Sequence, residues 1–547
     1  MAACMQPGRG RLSPHRGGGA AFAYYGLFAN IHCLETRERG DSMELKVFKD
    51  TLTAAGGLCD LKVELPVETE ILIPDYLPQV FKIVKCQVHP VVLQKQVLTG
   101  RLTLDGYLRC VVFYQSENDQ SLCQTEQKLP FTKAVELPAG EHEGCTVHVS
   151  GEVEYLNCRA VNQRRVDVRG AYALNVDVAA ELQQEVITAV ADCGAEQKLI
   201  ALSGIRNVAS LDKLMSAEEE LSFPQAPQAV LDITGIGHVQ DVKLISGKAV
   251  VKGEIEAQVL YRTEPGYKLE KLKKAVPFNQ IVDVDGVTED CSCFAQVEPV
   301  GCTMLAGSGP EAPNTVSVTA LLHLRVYRAM ECLVVGDAFS TQYDADVAYK
   351  QIHVERLAEQ LDQTAEVTVT GALPDENAEI IDCFASLAPV ELVASEGQLT
   401  LRGRATAHVL CMNSLGEIDC YDKAFEYMLP SRYNGAPEDY YVECWPSVVR
   451  MQAQKSGKEM AATASIRVTG LVTERQKETV VDTIKCEEPL APQDPEIALR
   501  IYYAQAGENV FDIAKRYHVS PAAMLKSNHL EQPELDEAMR LLVPVTV

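Results

Sequence analysis

Several short stretches of this 547-residue chain hold residue types that do chemistry in other settings. Gly235-Ile236-Gly237-His238-Val239-Gln240 opens like a loop that cradles a dinucleotide pyrophosphate. That chemistry requires a third glycine and a helix N-terminus facing the phosphates; neither follows, so the segment reads as a turn between strands. Cys291-Ser292-Cys293 offers two thiols, but a tetrahedral zinc site needs partners, and no Cys-x-x-Cys or paired histidine lies nearby. A strand with both thiols on one face is the better reading. His238, His323, His408 and His529 are isolated in the sequence, and a satisfied or exposed imidazole is the expectation for each. No Gly-x-Ser-x-Gly elbow and no phosphate loop occurs, and no carboxylate pair sits in a catalytic setting. The single tryptophan, Trp445, falls in a strand-like run and reads as core. An aromatic content of 6% also suits a sugar-stacking cleft poorly. The residues therefore predict no catalytic group, no cofactor site and no metal ligand, hence no enzyme; an unfamiliar site inside a repeated unit is the enzymatic alternative.

The bulk composition frames what must position such residues. A chain of this length exceeds one hydrophobic core, and about three to five domains are expected. Hydrophobic residues at 47% and charged residues at 23% are ordinary for a globular protein. A formal charge of −26 opposes a nucleic-acid or anionic-membrane partner. The 18 cysteines are scattered singly, many on apolar runs such as those of Cys86, Cys110 and Cys411, which suits reduced thiols in a reducing compartment. After residue 42 nothing approaches the roughly 18 apolar residues of a membrane span. Residues 1–42 have a basic start and an apolar run over 20–31, superficially like an export signal. No clean small-x-small cleavage site follows, and His32 precedes Cys33 where a lipobox wants Gly or Ala. Translation is expected to start at Met43, with 1–42 a non-domain extension; export is the alternative.

From Met43 to about Pro489 the chain reads as strands and turns, and it repeats. LTGRLTLDGYLRCVVFY (98–114) aligns with ISGKAVVKGEIEAQVLY (245–261) and SEGQLTLRGRATAHVLC (395–411). Each copy carries two glycines six apart: Gly100/Gly106, Gly247/Gly253 and Gly397/Gly403. Alternation follows, as in Leu108, Cys110 and Val112 against Tyr107, Arg109 and Val111, the pattern of a half-buried strand. Two copies continue to Pro130-Phe131 and Pro277-Phe278; the third offers Phe425 and Tyr427. A spacing of roughly 150 residues is far above that of solenoid repeats, so these are three whole domains. The expected boundaries are 43–182, 183–335 and 336–488, and tandem β-domains of this kind would make a long spacer. Segments 212–221 (DKLMSAEEEL) and 354–361 (VERLAEQL) are expected to be short helices. A Pro-rich linker, 489–499, leads to a last domain at 500–547.

In that last domain Tyr502, Tyr503 and Ala504 open a strand and Gly507 turns the chain. Asn509 is a helix N-cap with Asp512 three residues on, and Val510, Ile513, Ala514 and Tyr517 form one apolar helical face. Ser520-Pro521 starts a second helix, Met524 and Leu525 are its buried pair, and Asn528 ends it. Leu541, Leu542, Val543 and Val545 give the closing strand. The order resembles a LysM domain, a βααβ unit that commonly binds N-acetylglucosamine glycans. It departs at Glu508-Asn509-Val510-Phe511 and at Asp536-Glu537-Ala538-Met539. By position, the resemblance implies a groove with Gly507, Glu508, Asn509, Val510 and Phe511 on one side and Asn528, His529 and Leu530 on the other. As a protein interface, Val510, Phe511 and Leu530 would be its apolar centre, with Glu508, Lys515 and Lys526 on the rim.

The repeated unit, through its paired-glycine strand and Leu-Pro-Phe step, is similar to the SPOCS domain of sporulation and spore-coat proteins. Tandem SPOCS-like units followed by one LysM resemble the SipL family of spore morphogenesis proteins. The expected fold class is multidomain and mainly β: three tandem β-rich SPOCS-like domains plus a small βααβ LysM-like domain. The resemblance implies a non-enzymatic scaffold of the mother-cell cytosol, at the forespore surface, gripping the spore-coat morphogenetic ATPase through the LysM domain. The rival expectation is a peptidoglycan- or chitin-type-glycan-binding protein of cell wall or cortex.

Overall fold

The computed structural model describes residues 45–137, 145–263, 268–307, 313–373, 375–395, 397–491 and 499–544. The extension 1–42, the proposed start at Met43, Val545 and most of the Pro-rich linker lie outside the described residues. Within Leu45–Val547 the architecture is mainly β, as the alternating patterns require. The first module holds β1 (Lys46–Leu72), β2 (Val80–Leu98), β3 (Arg101–Ser116), β4 (Leu122–Glu136), β5 (Thr146–Asn162) and β6 (Arg165–Ala191). The second holds β7 (Ala195–Leu221), β8 (Ala229–Ile245), β9 (Lys248–Arg262), β10 (Glu270–Asp283), β11 (Ser292–Leu305) and β12 (Asn314–Ser340). The third holds β13 (Tyr343–Ala372), β14 (Glu379–Ser395), β15 (Gln398–Met412), β16 (Ile418–Met428), β17 (Tyr440–Ser456) and β18 (Glu459–Pro489).

Each module is built the same way. Three consecutive strands form an antiparallel meander (β2-β3-β4, β8-β9-β10, β14-β15-β16). The two long outer strands pair with each other, and the second of them also pairs with the remaining strand (β1-β6-β5, β7-β12-β11, β13-β18-β17). The two sheets face each other over a core such as Leu65, Leu102, Leu104, Cys110, Tyr114 and Leu174 in the first module. Cys110 and Cys411 are buried as small apolar groups, and no disulfide joins cysteines among the described residues.

The paired glycines now have separate reasons. Gly100, Gly247 and Gly397 adopt positive φ in the hairpin turn before the central meander strand. Gly106, Gly253 and Gly403 lie opposite Phe131, Phe278 and Tyr427 in the neighbouring strand. A Cβ on Gly403 would meet the Tyr427 ring at 2.0 Å, and one on Gly253 the His238 carbonyl oxygen at 2.2 Å. An aromatic ring thus lies across the glycine in all three copies, so Tyr427 takes the place of the missing third Pro-Phe.

Several expectations are corrected. Segment 212–221 lies inside β7, paired with β12 from Leu221↔Asn314 to Asp212↔His323. Its Met215 and Leu221 are buried in the second core, so strand pairing overrides the helical propensity of the Ala/Glu-rich run. Segment 354–361 lies inside β13, whose register shifts between Leu357 and Glu359 while Val354 and Leu361 stay buried. Gly235–Gly237 is strand interior in β8, not a turn; a Cβ on Gly237 would strike the Val297 carbonyl at 2.2 Å, so glycine permits close approach of β11. Cys291 and Cys293 both pack at the edge of the second core.

The three modules do not form an extended spacer. The long outer strands project as two-stranded ribbons whose apolar faces meet: Leu52 and Val186, Leu202 and Val334, Ile352 and Val480 share one cluster. A second shared cluster holds Ile187, Val335 and Val481. The outward face of β3 is buried too, with Val111 and Phe113 packed beside Leu231, Leu410 and Ile418. Half-burial was expected for that strand, but its second face is an interface between modules. Charge follows the same seams, as in Arg109–Asp232 at 2.8 Å and Lys85–Asp422 at 2.6 Å.

The last domain comprises β19 (Arg500–Ala504), α1 (Val510–Tyr517), α2 (Pro521–Ser527) and β20 (Met539–Val543), with β19 and β20 antiparallel. Asn509 caps α1 by accepting a hydrogen bond from the Phe511 N–H at 2.9 Å. Val510, Ile513, Ala514, Met524 and Leu541 form its core. No helix of the described residues is long and apolar enough to cross a membrane.

Candidate functional site: the C-terminal domain, its dock and the module junction

The residues expected to line a groove take different roles. Gly507 turns with φ 85° and donates its N–H to the Leu535 carbonyl at 2.7 Å. Glu508 is fixed by the Gln505 N–H and the Tyr502 hydroxyl, both at 2.8 Å. Those hydrogen bonds, the backbone one foremost, hold its carboxyl below the usual range. Asn509 caps the helix and bridges to Glu534, and the Val510 N–H donates to the Pro533 carbonyl. Segment 533–535 therefore closes on the first loop. Asn528 donates to the Met524 and Leu542 carbonyls and accepts from the Leu542 N–H, stitching α2 to β20. His529 follows with φ 55°, and Leu530 packs on the domain's own core.

Of the three residues expected as an apolar centre, Val510 is wholly buried inside the domain. Phe511 instead reaches out of it, edge-to-face on Phe339 of β12 with ring centroids 5.3 Å apart. Lys515 continues the contact, its ammonium 2.6 Å from Asp337 and 3.1 Å from the Tyr349 hydroxyl. Burial would lower that lysine, but Asp337 and Tyr349 outweigh it and raise it. His518 Nδ1 lies 3.1 Å from the Ser340 carbonyl oxygen. The helical face of the small domain is thus docked on the β12–β13 end of the ribbons. Its outward apolar residues are on the sheet: Ile501, Tyr503 and Leu542 are exposed, with Ile501 directly opposite Leu542.

A cavity of about 1750 Å³ lies where the three modules meet, bordered among others by Arg109, His148, Asp232, Glu298, His323 and Trp445. Of the four histidines singled out, His238, His323 and His408 have side-chain partners, whereas His529 is exposed. His323 Nδ1 is 2.7 Å from Asp212 and Nε2 is 3.1 Å from Glu298, while Lys95 of the first module binds Asp212 at 2.7 Å. Burial alone would lower this imidazole, but the two carboxylates hold it at about 9. Neighbouring His148, buried beside Lys95, is pushed down to about 3. Trp445 of the third module stacks on His323 at 5.2 Å and meets His148 edge-on at 5.0 Å, so the tryptophan is a junction residue, half-buried. Arg325 of β12 pairs with Glu355 at 2.7 Å and Glu443 at 3.4 Å, both of the third module. His238 Nδ1 accepts from Arg467 at 2.6 Å. Sequence spacing could not reveal these clusters, because their members come from different modules.

The family model described as SipL, SPOCS domain, matches residues 79–161 and 228–304. These are β2–β5 and β8–β11, one meander plus the next strand, in the first and second modules; the same elements recur as β14–β17 in the third. The chain thus resembles SipL proteins over those two segments and carries SPOCS domains there. No curated protein and no solved structure matches it.

Proposed function

We propose that this chain is a non-enzymatic scaffold of endospore formation, joining the spore-coat morphogenetic ATPase to the forespore surface. The observation that carries the reading is the twofold SPOCS match, which associates the chain with sporulation. Its physical form fits that role. Three modules locked by apolar ribbons and buried ion pairs make a stiff body, and the small C-terminal domain, whose motif resembles LysM, sits on one end of it. Phe511 and Lys515 of α1 are engaged by that body, which leaves the exposed sheet face of Ile501, Tyr503 and Leu542 as the surface we assign to the partner contact. An exposed aromatic beside two aliphatic residues is the composition of a protein-contact centre.

The test uses the full chain, immobilised and presented with the purified coat ATPase, and separately with chitin-type oligomers and muropeptides. Saturable ATPase binding, reduced about tenfold or more by Tyr503→Ser with Leu542→Ser, and no glycan binding is the expected result. Glycan binding without ATPase binding would overturn it and make a wall- or cortex-binding protein the working reading.

A further inference from the structure

One cluster has no part in the proposed function, although its Lys85–Asp422 pair belongs to a seam between modules. On the cavity side of the third module's meander, Cys420 and Asp422 stand two apart on β16 and so share a face. His408 on β15 lies directly opposite Asp422. His408 Nδ1 is 2.7 Å from Asp422 Oδ1, and Cys420 Sγ is 3.3 Å from that same oxygen. The ligand atoms of all three residues lie within 4.8 Å of one another. The other carboxylate oxygen, Oδ2, is taken by Lys85 of the first module at 2.6 Å. Ser386 on β14 places its hydroxyl 2.8 Å from His408 Nε2, and Phe384 packs against the imidazole at 5.1 Å.

We propose that His408, Cys420 and Asp422 form a three-ligand site for a borderline divalent cation of the zinc type, its fourth position open to the cavity. Imidazole nitrogen, thiolate and one carboxylate oxygen form a set that zinc takes, with bonds of roughly 2.0–2.3 Å. A tetrahedral ion with such bonds separates its ligands by roughly 3.3–3.7 Å. His408 Nδ1 and Asp422 Oδ1, at 2.7 Å, therefore need to part by about half an ångström to an ångström, the 3.3 Å between Cys420 Sγ and that oxygen already fits, and Cys420 lies within 4.8 Å of the imidazole. The Cys420 proton leaves to solvent on binding. The histidine proton moves from Nδ1 to Nε2, where the Ser386 hydroxyl accepts it and fixes the ring. Lys85 stays on Oδ2, which the ion does not need. Ser386, His408 and Asp422 alone would also describe a nucleophilic serine. That reading leaves Cys420, aimed at the same carboxylate oxygen, without a role, whereas the cation uses all four residues.

The full chain, stripped with chelator, is titrated with Zn²⁺ against a chromophoric competitor and with Co²⁺ by absorption. One tight equivalent is expected, with the near-ultraviolet thiolate-to-cobalt band and the visible bands of a tetrahedral ion. Cys420→Ser should abolish the thiolate band, and His408→Gln should weaken Zn²⁺ binding about tenfold or more; Cys291→Ser, at a thiol in the second module, should change neither. Unchanged Trp445 emission keeps misfolding of a variant from counting as support. No saturable binding, a cobalt band that survives Cys420→Ser, or labelling of Ser386 by a fluorophosphonate in the metal-free chain would overturn the proposal.

Discussion

The protonated imidazole at the module junction gives a pH dependence whose size and sign can be worked out. His323 is held at about 9 against an ordinary 6.5. At about 1.36 kcal/mol per pH unit that difference comes to about 3 kcal/mol. Because the folded value is raised, the contribution is complete below pH about 6.5 and is lost as pH climbs through about 9. The groups facing the ring are Asp212 from β7, Glu298 from β11, Lys95 from β2 and His148 from β5, with Trp445 stacked over it. His148 is pushed down, so it is neutral throughout this window and does not confuse the reading. Trp445 is the chain's single tryptophan, so intrinsic fluorescence reports this ring directly. An imidazolium quenches indole emission more strongly than a neutral imidazole does. Emission from the folded chain should rise with a midpoint near pH 9, and urea unfolding should show the stability falling by about 3 kcal/mol over the same interval. His323→Gln should abolish both. An emission midpoint near 6.5, or a pH profile untouched by His323→Gln, would refute the reasoning.

Three further outcomes follow from named contacts. Asp177, half-buried and opposite Asp60 on β1, is raised to about 7; its ionisation is therefore a cost that grows as pH rises from about 4 to 7. After discounting for its partial exposure, Asp177→Asn should stabilise the chain by about 1–2 kcal/mol at pH 8 and have no such effect at pH 4, measured by urea melts. Arg325→Leu strands Glu355 and Glu443 without their cation and should cost about 3–5 kcal/mol; a loss below about 1 kcal/mol in chemical denaturation would speak against that burial. Gly403→Ala drives a methyl into the Tyr427 ring and should cost about 2 kcal/mol or more. Tyr427→Ala in the same chain should make that added methyl nearly harmless, a coupling that a double-mutant cycle reads directly.

What the sequence disclosed followed physical range. Period-2 alternation, turn glycines and capping residues act within a few positions, so the strands, the C-terminal helices and the repeat were legible. The positive φ of Gly247 and the Asn509 cap are local facts visible in local letters. The two expected helices failed where a long ladder partner outweighed propensity, as Asn314–Ser340 does for 212–221. The partners of the histidines were hidden for a different reason. Asp212, Glu298 and His323 lie on three strands, their lysine comes from the preceding module, and Trp445 comes from the next. Phe511 illustrates the same limit: its type announced a contact, but only the fold shows that Phe339 receives it.

The meeting of the three ribbons also sets an order in time. Leu52, near the start of the first ribbon, shares its apolar cluster with Val480, about 430 residues later. On a ribosome adding about 5–20 residues per second, that strip waits roughly 20–90 s before its last cover emerges. Each module can close its own sandwich as it is made, whereas the ribbon ends stay sticky until the third arrives. Nascent chains stalled within the third module should therefore be the ones that recruit chaperones or pair with one another. A chain released before Val480 would carry an uncovered apolar strip on a folded sandwich.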